Sequence, residues 1–139
     1  MSKLGMEYSL YLVTDSTNRD IESFCAIVDQ ALQGGVTLVQ LREKSATSRE
    51  FYQRALRIKE VTDRFQVPLI INDRLDIALA VNAAGLHIGQ EDLPVAVARR
   101  LLGPEKILGA TAATVADALA AQAAGADYLG SGAVYPTGT

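Results

Sequence analysis

Apolar residues gather in six short blocks along the chain: Ser9–Thr14, Thr37–Arg42, Pro68–Asn72, Leu86–Gly89, Ile107–Ala110 and Asp127–Gly130. Most are continuous runs rather than strict alternations. That pattern predicts strands buried on both faces, as in a parallel sheet covered by helices. Between them, Ile21–Gln33, Ser48–Phe65, Leu75–Ala84, Pro94–Leu102 and Val115–Ala124 read as helices. In "IESFCAIVDQAL" the apolar positions recur at three-to-four spacing, so one face of that helix is buried. Thr47 and Ser48 precede the second helix and Thr114 the fifth, both in N-cap contexts. A loose junction repeats in "LQGGVTLVQ", "VNAAGLHIG" and "QAAGADYLG": a helix end, small residues, a Gly, then a strand. Glycine at such a junction accepts the left-handed conformation that stops a helix.

The fold class is therefore α/β, built of repeated strand–helix units. Two architectures fit: a barrel, or an open doubly wound sheet. A barrel needs eight strands and typically ~250 residues. The sequence has 139 residues and ends at "YPTGT", just beyond the sixth block. The expectation is one domain over residues 1–139 that resembles an incomplete barrel.

Composition narrows the function classes. The chain is 49% hydrophobic and 21% charged, with a formal net charge of -3, so no global field favours nucleic acid or an anionic membrane. The tyrosines are scattered along the sequence and form no stacking platform for nucleic acid. No apolar stretch reaches the ~20 residues of a membrane span, and the N-terminus lacks the apolar run of a signal peptide. The expected location is cytoplasmic. Cys25 is the only cysteine, so no intrachain disulfide forms. It falls in a helix away from the strand ends, where a buried, inert thiol is expected.

Ligands of parallel α/β folds bind at the carboxyl ends of the strands. Five successive strands deliver polar or glycine residues to that end. The second gives Gln40, Arg42 and Lys44. The third gives Asn72, Asp73 and Arg74. The fourth gives His87 to Asp92, the fifth Gly109 to Thr111, and the sixth Gly130 to Gly132 followed by Tyr135 to Thr139. By the period of two, Leu38, Gln40 and Arg42 share one strand face, while Val39 and Leu41 share the other. Gln40 and Arg42 then point into the barrel near its mouth, and Lys44 extends the row into the loop. A guanidinium there needs a counter-charge, supplied either by an anionic ligand or by Glu43, Asp73 or Asp92. Asp73 and Asp92 lie at the same rim. They suit a Mg²⁺ that also contacts phosphate, or serve as helix caps at Arg74 and Pro94. His87, the only histidine, reads as a hydrogen-bonded residue inside the barrel; base catalysis is the lesser reading. Thr111, Ser131, Thr137 and Thr139 carry hydroxyls suited to phosphate or to turns. No G-x-G-x-x-G dinucleotide motif is present.

The segments "YLVTD", "GGVTLVQLREK", "PLIINDRLDIALAVNAAGLHIGQEDLP" and "ILGATAATVADALAAQAAGADYLGSGAVYPTGT" together resemble the thiamin phosphate synthase family. The resemblance runs from about Tyr8 to the last residue. It implies a TIM (β/α)8 barrel, here lacking the last two βα units. It also implies Mg²⁺-dependent joining of hydroxymethylpyrimidine diphosphate to hydroxyethylthiazole phosphate, with release of diphosphate through a dissociative pyrimidine carbocation. By the same resemblance, Gln40 and Asn72 hold the pyrimidine, with Asn72 also near the diphosphate. Arg42 and Lys44 bind diphosphate, and Asp73 and Asp92 ligate Mg²⁺. Thr111 stands where the family usually has Ser, Thr137 and Thr139 match the thiazole phosphate loop, and His87 matches a pocket position. Arg42, Lys44 and Asn72 are the catalytic candidates.

Two departures accompany the resemblance. Ala133 stands where the family often has Pro. The family pattern continues past Thr139 with a Lys and two further strands, so the expected sheet has two long open edges and a half-formed core. A thiazole tautomerase of the same superfamily is one alternative, disfavoured by the presence of Asp73, Asp92, Arg42 and Lys44. A non-catalytic fragment that binds only the pyrimidine diphosphate is another. The expected partners are small molecules, and a homo-oligomer is left open.

Overall fold

A computed structural model describes residues 3–138. Six strands alternate with five helices: β1 (Tyr11–Val13), α1 (Ile21–Gln33), β2 (Leu38–Leu41), α2 (Ser48–Arg64), β3 (Leu69–Asn72), α3 (Leu75–Ala80), β4 (Gly85–Ile88), α4 (Val95–Leu102), β5 (Ile107–Thr111), α5 (Val115–Ala124) and β6 (Tyr128–Gly130). All pairs are parallel and the strand order is sequential, β1 to β6. A doubly wound sheet reverses its order at a switch point; this one does not. It is the sheet of a barrel, curled rather than closed.

Alternate strand residues divide the sheet into two faces. Val39 and Leu41, Leu69 and Ile71, Leu86 and Ile88, and Leu108 point outward into the main core. There they meet Phe24 and Val28 of α1, Phe51 and Ile58 of α2, Ile77 of α3 and Ala98 of α4. Each helix packs against the next. The inner face begins at its amino end with a small apolar floor of Leu38, Ile70 and Ile107, packed by Met6 and flanked by Tyr11 and Tyr128. The Tyr11 and Tyr128 hydroxyls are 2.5 Å apart, so side chains from the first and last strands touch across the concave face. The edges are short, three residues each in β1 and β6, rather than the long edges expected.

Local chemistry sets the element ends. Thr47 and Glu50 form a reciprocal capping box on α2, and Thr114 accepts the Asp117 N–H at α5. Asp20 caps α1 in the same way. Helix α3 stops at Ala80, four residues short of the sequence expectation, because Asn82 turns left-handed with φ 52°. That turn corrects the junction reading. In "VNAAG" the left-handed residue is Asn82, and Gly85 already belongs to β4. A Cβ on Gly85 would sit 2.2 Å from the Ile107 carbonyl oxygen, so close strand approach is what requires glycine there. In "QAAG" the expectation holds: Gly125 ends α5 with φ 112°.

One guanidinium ties the amino pole of the last units together. Arg99 on α4 donates to the carbonyls of Gly103, Lys106 and Gly125 and to Asp127, using all five of its N–H groups. Asp127 also accepts the Leu108 N–H at 2.8 Å and pairs with Lys3 at 3.2 Å. Burial pushes the Asp127 carboxyl up, but these hydrogen bonds outweigh it and hold the group below its ordinary value. No helix among the described residues is long and apolar enough to cross a membrane.

Candidate active site

At the carboxyl ends of the strands the inner face opens into a concavity of about 800 Å³. Its wall includes Gln40, Arg42, Lys44, Asn72, Asp73 and Thr111. These residues come from β2, β3, β5 and the loops that follow β2 and β3, so the structure brings together six positions picked out in the sequence. His87 of β4 joins them.

Gln40 and Asn72 are buried although polar, at 4% and 8% exposure. Burial is tolerated because they satisfy each other: Asn72 Nδ2 donates to Gln40 Oε1 at 2.8 Å. Gln40 Nε2 donates to the Tyr11 hydroxyl at 3.0 Å. Arg42 shares the same strand face but lies beyond the rim, exposed. Its backbone N–H donates to Thr14 Oγ1 of the neighbouring strand end.

The ion pairs differ from those expected for Arg42. Glu43 turns away from the mouth and pairs with Arg54 of α2 at 2.8 Å, and Ser16 donates to the same carboxylate oxygen at 2.7 Å. Lys44 takes Asp73. None of the ion pairs among the described residues involves Arg42, which borders both the concavity and the neighbouring surface beside Asp15. Glu43 is 4% exposed at its side chain, and its second oxygen, Oε1, has no partner. It anchors the segment between Arg42 and Lys44 to α2 and to the β1–α1 loop.

Neither aspartate caps a helix as one sequence reading allowed. Asp73 adopts a left-handed backbone, φ 65°, with its N–H on the His87 carbonyl, and the helix N-cap is Arg74. Aspartate is among the few residues that take this conformation readily. Asp92 Oδ2 accepts the Gly89 N–H at 2.7 Å and so folds the loop after β4, while Pro94 precedes α4. The two carboxyls are close. Burial pushes Asp92 above the ordinary carboxylate range, and its neighbour Asp73 adds to this; the Gly89 N–H and Lys44 oppose it.

Among the described residues no group of three or more His, Cys, Asp or Glu could hold a metal ion. A pair of carboxylates is still the donor set Mg²⁺ takes, because Mg²⁺ keeps waters and substrate phosphate oxygens for its remaining positions. The residues present therefore fit the ion when a phosphate ligand accompanies it.

His87 is hydrogen-bonded through both ring nitrogens, Nδ1 to the Tyr128 hydroxyl and Nε2 to Thr111 Oγ1, each at 3.0 Å. Burial lowers its pKa, opposed by Asp73. Tyr128 reaches His87 because Gly109 makes room for its ring: a Cβ on Gly109 would lie 2.0 Å from Tyr128 Cζ. Tyr8 and Tyr11 pack against the same ring, with centroids at 5.4 and 5.7 Å. Three of the five tyrosines scattered in sequence thus form a cluster on the concave face, while Tyr52 and Tyr135 lie apart and exposed. Strand parity was the signal that could have found two of them, since Tyr11 shares a face with Val13, and Tyr128 with Gly130.

Asp92, beside Asp73, is not among the residues lining the concavity. Two more described positions fall elsewhere, and one is not described. Thr137 is exposed in the stretch after β6, outside the residues lining the concavity. Thr139 lies outside the described residues. Cys25 is only partly buried, packed beside the main core; burial raises its thiol pKa.

Comparison with known proteins places the sequence and the fold. The chain is 62% identical over 130 residues to a protein named thiamine-phosphate synthase 2 from Streptococcus pneumoniae, covering 94% of this chain and 62% of that one. It is 55% identical over 137 residues to a thiamine-phosphate synthase from Ruminiclostridium cellulolyticum, covering 99% and 65%. A solved thiamine phosphate pyrophosphorylase from Pyrococcus furiosus superposes with a TM-score of 0.82 at 40% identity, over 92% of this chain and 61% of that chain. The chain thus spans somewhat under two thirds of the length of these relatives. The model of the thiamine monophosphate synthase family matches residues 10–139, and the chain belongs to that family.

Proposed function

We propose that this chain binds a pyrimidine diphosphate in the concavity and transfers the pyrimidine methylene to the nitrogen of a thiazole phosphate, forming thiamin phosphate. The observation that carries the reading is the convergence of two amides, two cations and a hydroxyl on one concavity, beside a close aspartate pair.

Gln40 and Asn72 orient the heterocycle. Each has spent only part of its hydrogen-bonding capacity on the other, so N–H and C=O groups remain for the pyrimidine edge. Arg42 and Lys44 bind the diphosphate at the rim, where the guanidinium can take two oxygens at once. The carbon–oxygen bond to the diphosphate breaks with its electrons leaving on oxygen, and a dissociative pyrimidine cation remains at the exocyclic carbon. The thiazole nitrogen then supplies the electron pair of the new carbon–nitrogen bond. No enzyme nucleophile is required. Arg42 and Lys44 stabilise charge that grows on the leaving group, and the buried amides fix the ring in line for attack. Asp73 and Asp92 would hold Mg²⁺, which when bound supplies further charge neutralisation on the departing diphosphate. Asp73 would then exchange Lys44 for the ion, freeing the ammonium for phosphate.

A coupled assay with both substrates and Mg²⁺ on the full chain tests the reading. Equal amounts of thiamin phosphate and diphosphate are expected. A folded chain that binds neither substrate overturns it. Calorimetry separates the catalyst from a half-site, because binding of the pyrimidine diphosphate without turnover marks a binding fragment.

A further inference from the structure

One polar chain crosses the floor of the concavity and takes one side chain from each strand. Asn72 donates to Gln40, Gln40 donates to Tyr11, Tyr11 meets Tyr128, Tyr128 meets His87 Nδ1, and His87 Nε2 meets Thr111. The distances run from 2.5 to 3.0 Å. Such a chain has a direction, because each hydroxyl has one proton and a neutral imidazole has one N–H.

The amides set that direction. Gln40 Nε2 can only donate, so the Tyr11 oxygen accepts there and the Tyr11 proton goes to the Tyr128 oxygen. The Tyr128 proton then goes to His87 Nδ1. That nitrogen must be unprotonated, so the imidazole carries its proton on Nε2 and donates to Thr111 Oγ1. Nothing in the chain uses the Thr111 proton, and Thr111 lines the concavity. The opposite polarity needs both amides turned over. It would put the imidazole proton on Nδ1 and direct the Thr111 proton at His87; the amide orientations, with Asn72 Nδ2 on Gln40 Oε1 and Gln40 Nε2 on Tyr11, select the first polarity. Both polarities have a neutral imidazole and a neutral Tyr128 phenol.

We infer that Tyr11 and Tyr128 are positioning residues that hold His87 as its Nε2–H tautomer, so that the Thr111 hydroxyl donates into the pocket, to a phosphate oxygen. The phosphate rests on the synthase reading above; the tautomer does not.

His87 is the only histidine in the chain, so isotope-labelled histidine gives a single imidazole in a long-range proton–nitrogen correlation spectrum of the full chain. Recorded above the ordinary imidazole range, the spectrum is expected to show the Nε2–H pattern. Tyr128→Phe keeps the ring over Gly109 and removes the donor, so the Nδ1 resonance should move toward that of an unbonded ring nitrogen. An Nδ1–H pattern in the unmodified chain, or an Nδ1 resonance that ignores Tyr128→Phe, overturns the tautomer. Calorimetry with inorganic diphosphate and Mg²⁺ tests the consequence. Thr111→Val should weaken binding about tenfold, the worth of a hydrogen bond to a charged group. Tyr128→Phe should weaken it by less, and add nothing in the Thr111→Val background. Additive losses overturn the positioning role. A chain that shows the Nε2–H pattern yet ignores diphosphate overturns the synthase reading of the pocket and leaves the tautomer standing.

Discussion

The two faces of the one sheet differ more than any two elements do. Outward residues such as Leu41, Ile71, Leu86 and Leu108 are apolar, fully buried and interchangeable in kind. Inward residues one position away in β2 and β3 are Gln40 and Asn72, which are buried, polar and satisfied only by each other and by Tyr11. Stability rests on the first set and the proposed chemistry on the second, along the same few strands. Neighbouring substitutions should therefore have opposite signatures.

The largest expected effect is on the outer face. Ile71→Ala removes a fully buried side chain, and should cost about 2–5 kcal/mol in denaturant unfolding, without altering substrate affinity in the fraction still folded. A loss of affinity in that fraction would merge the two faces. Next comes Gly109→Ala on the inner face. The added methyl collides with the Tyr128 ring, and overpacking of this kind costs about 1–3 kcal/mol. Because it displaces Tyr128 from His87, it should also change the imidazole resonances, which Ile71→Ala should not do.

The amino pole gives a smaller effect. The Asp127 carboxyl is held below its ordinary value of 3.8 by Leu108 N–H, Arg99 and Lys3. A depressed folded-state pKa contributes stability above the unfolded value and loses it as pH falls through the folded one. Thermal stability should decline below pH 3.8. Asp127→Asn should lower the plateau above that pH and flatten the decline, with no change in substrate binding at neutral pH. An acid limb of unchanged steepness would remove Asp127 from the account. The smallest effect belongs to Glu43→Gln. It keeps the anchor's shape but weakens its pairing with Arg54, and should lower kcat/KM for the pyrimidine diphosphate a few-fold, because Arg42 and Lys44 would meet the diphosphate both on binding and as it departs. An unchanged kcat/KM would show that the anchor does not act through Arg42 and Lys44.

The contrast between faces also explains what the sequence made legible. Continuous apolar runs marked the inner strands, because β2 and β3 are buried on both faces whereas the edge strands β1 and β6 are only partly so, and α1 and α5 end where their patterns end. Helix α3 was read too long because Val81 and Ala83 continue the apolar pattern through the Asn82 turn, and no periodicity reports a left-handed residue. The amides and Arg42 were visible by strand parity, and Lys44 and the aspartates by their place just past the carboxyl ends of the strands. The partners of the cations were not. Glu43 pairs with Arg54, set on a helix face, and Asp73 with Lys44 through a turn whose geometry depends on the His87 carbonyl. The tyrosine cluster was hidden for a similar reason: Tyr11 and Tyr128 lie at opposite ends of the chain, and they meet only because the sheet curls and Gly109 leaves space.

The central claim is that Arg42 serves the ligand and Leu41, beside it, serves the fold. The direct measurement is synthase turnover of Arg42→Ala in the full chain, with Tm measured on the same preparation. The account predicts a fall in turnover of about 10²–10³-fold, the scale of losing one donor to developing charge, with Tm unchanged. Unchanged turnover, or a loss that merely follows a collapse in Tm, would contradict it.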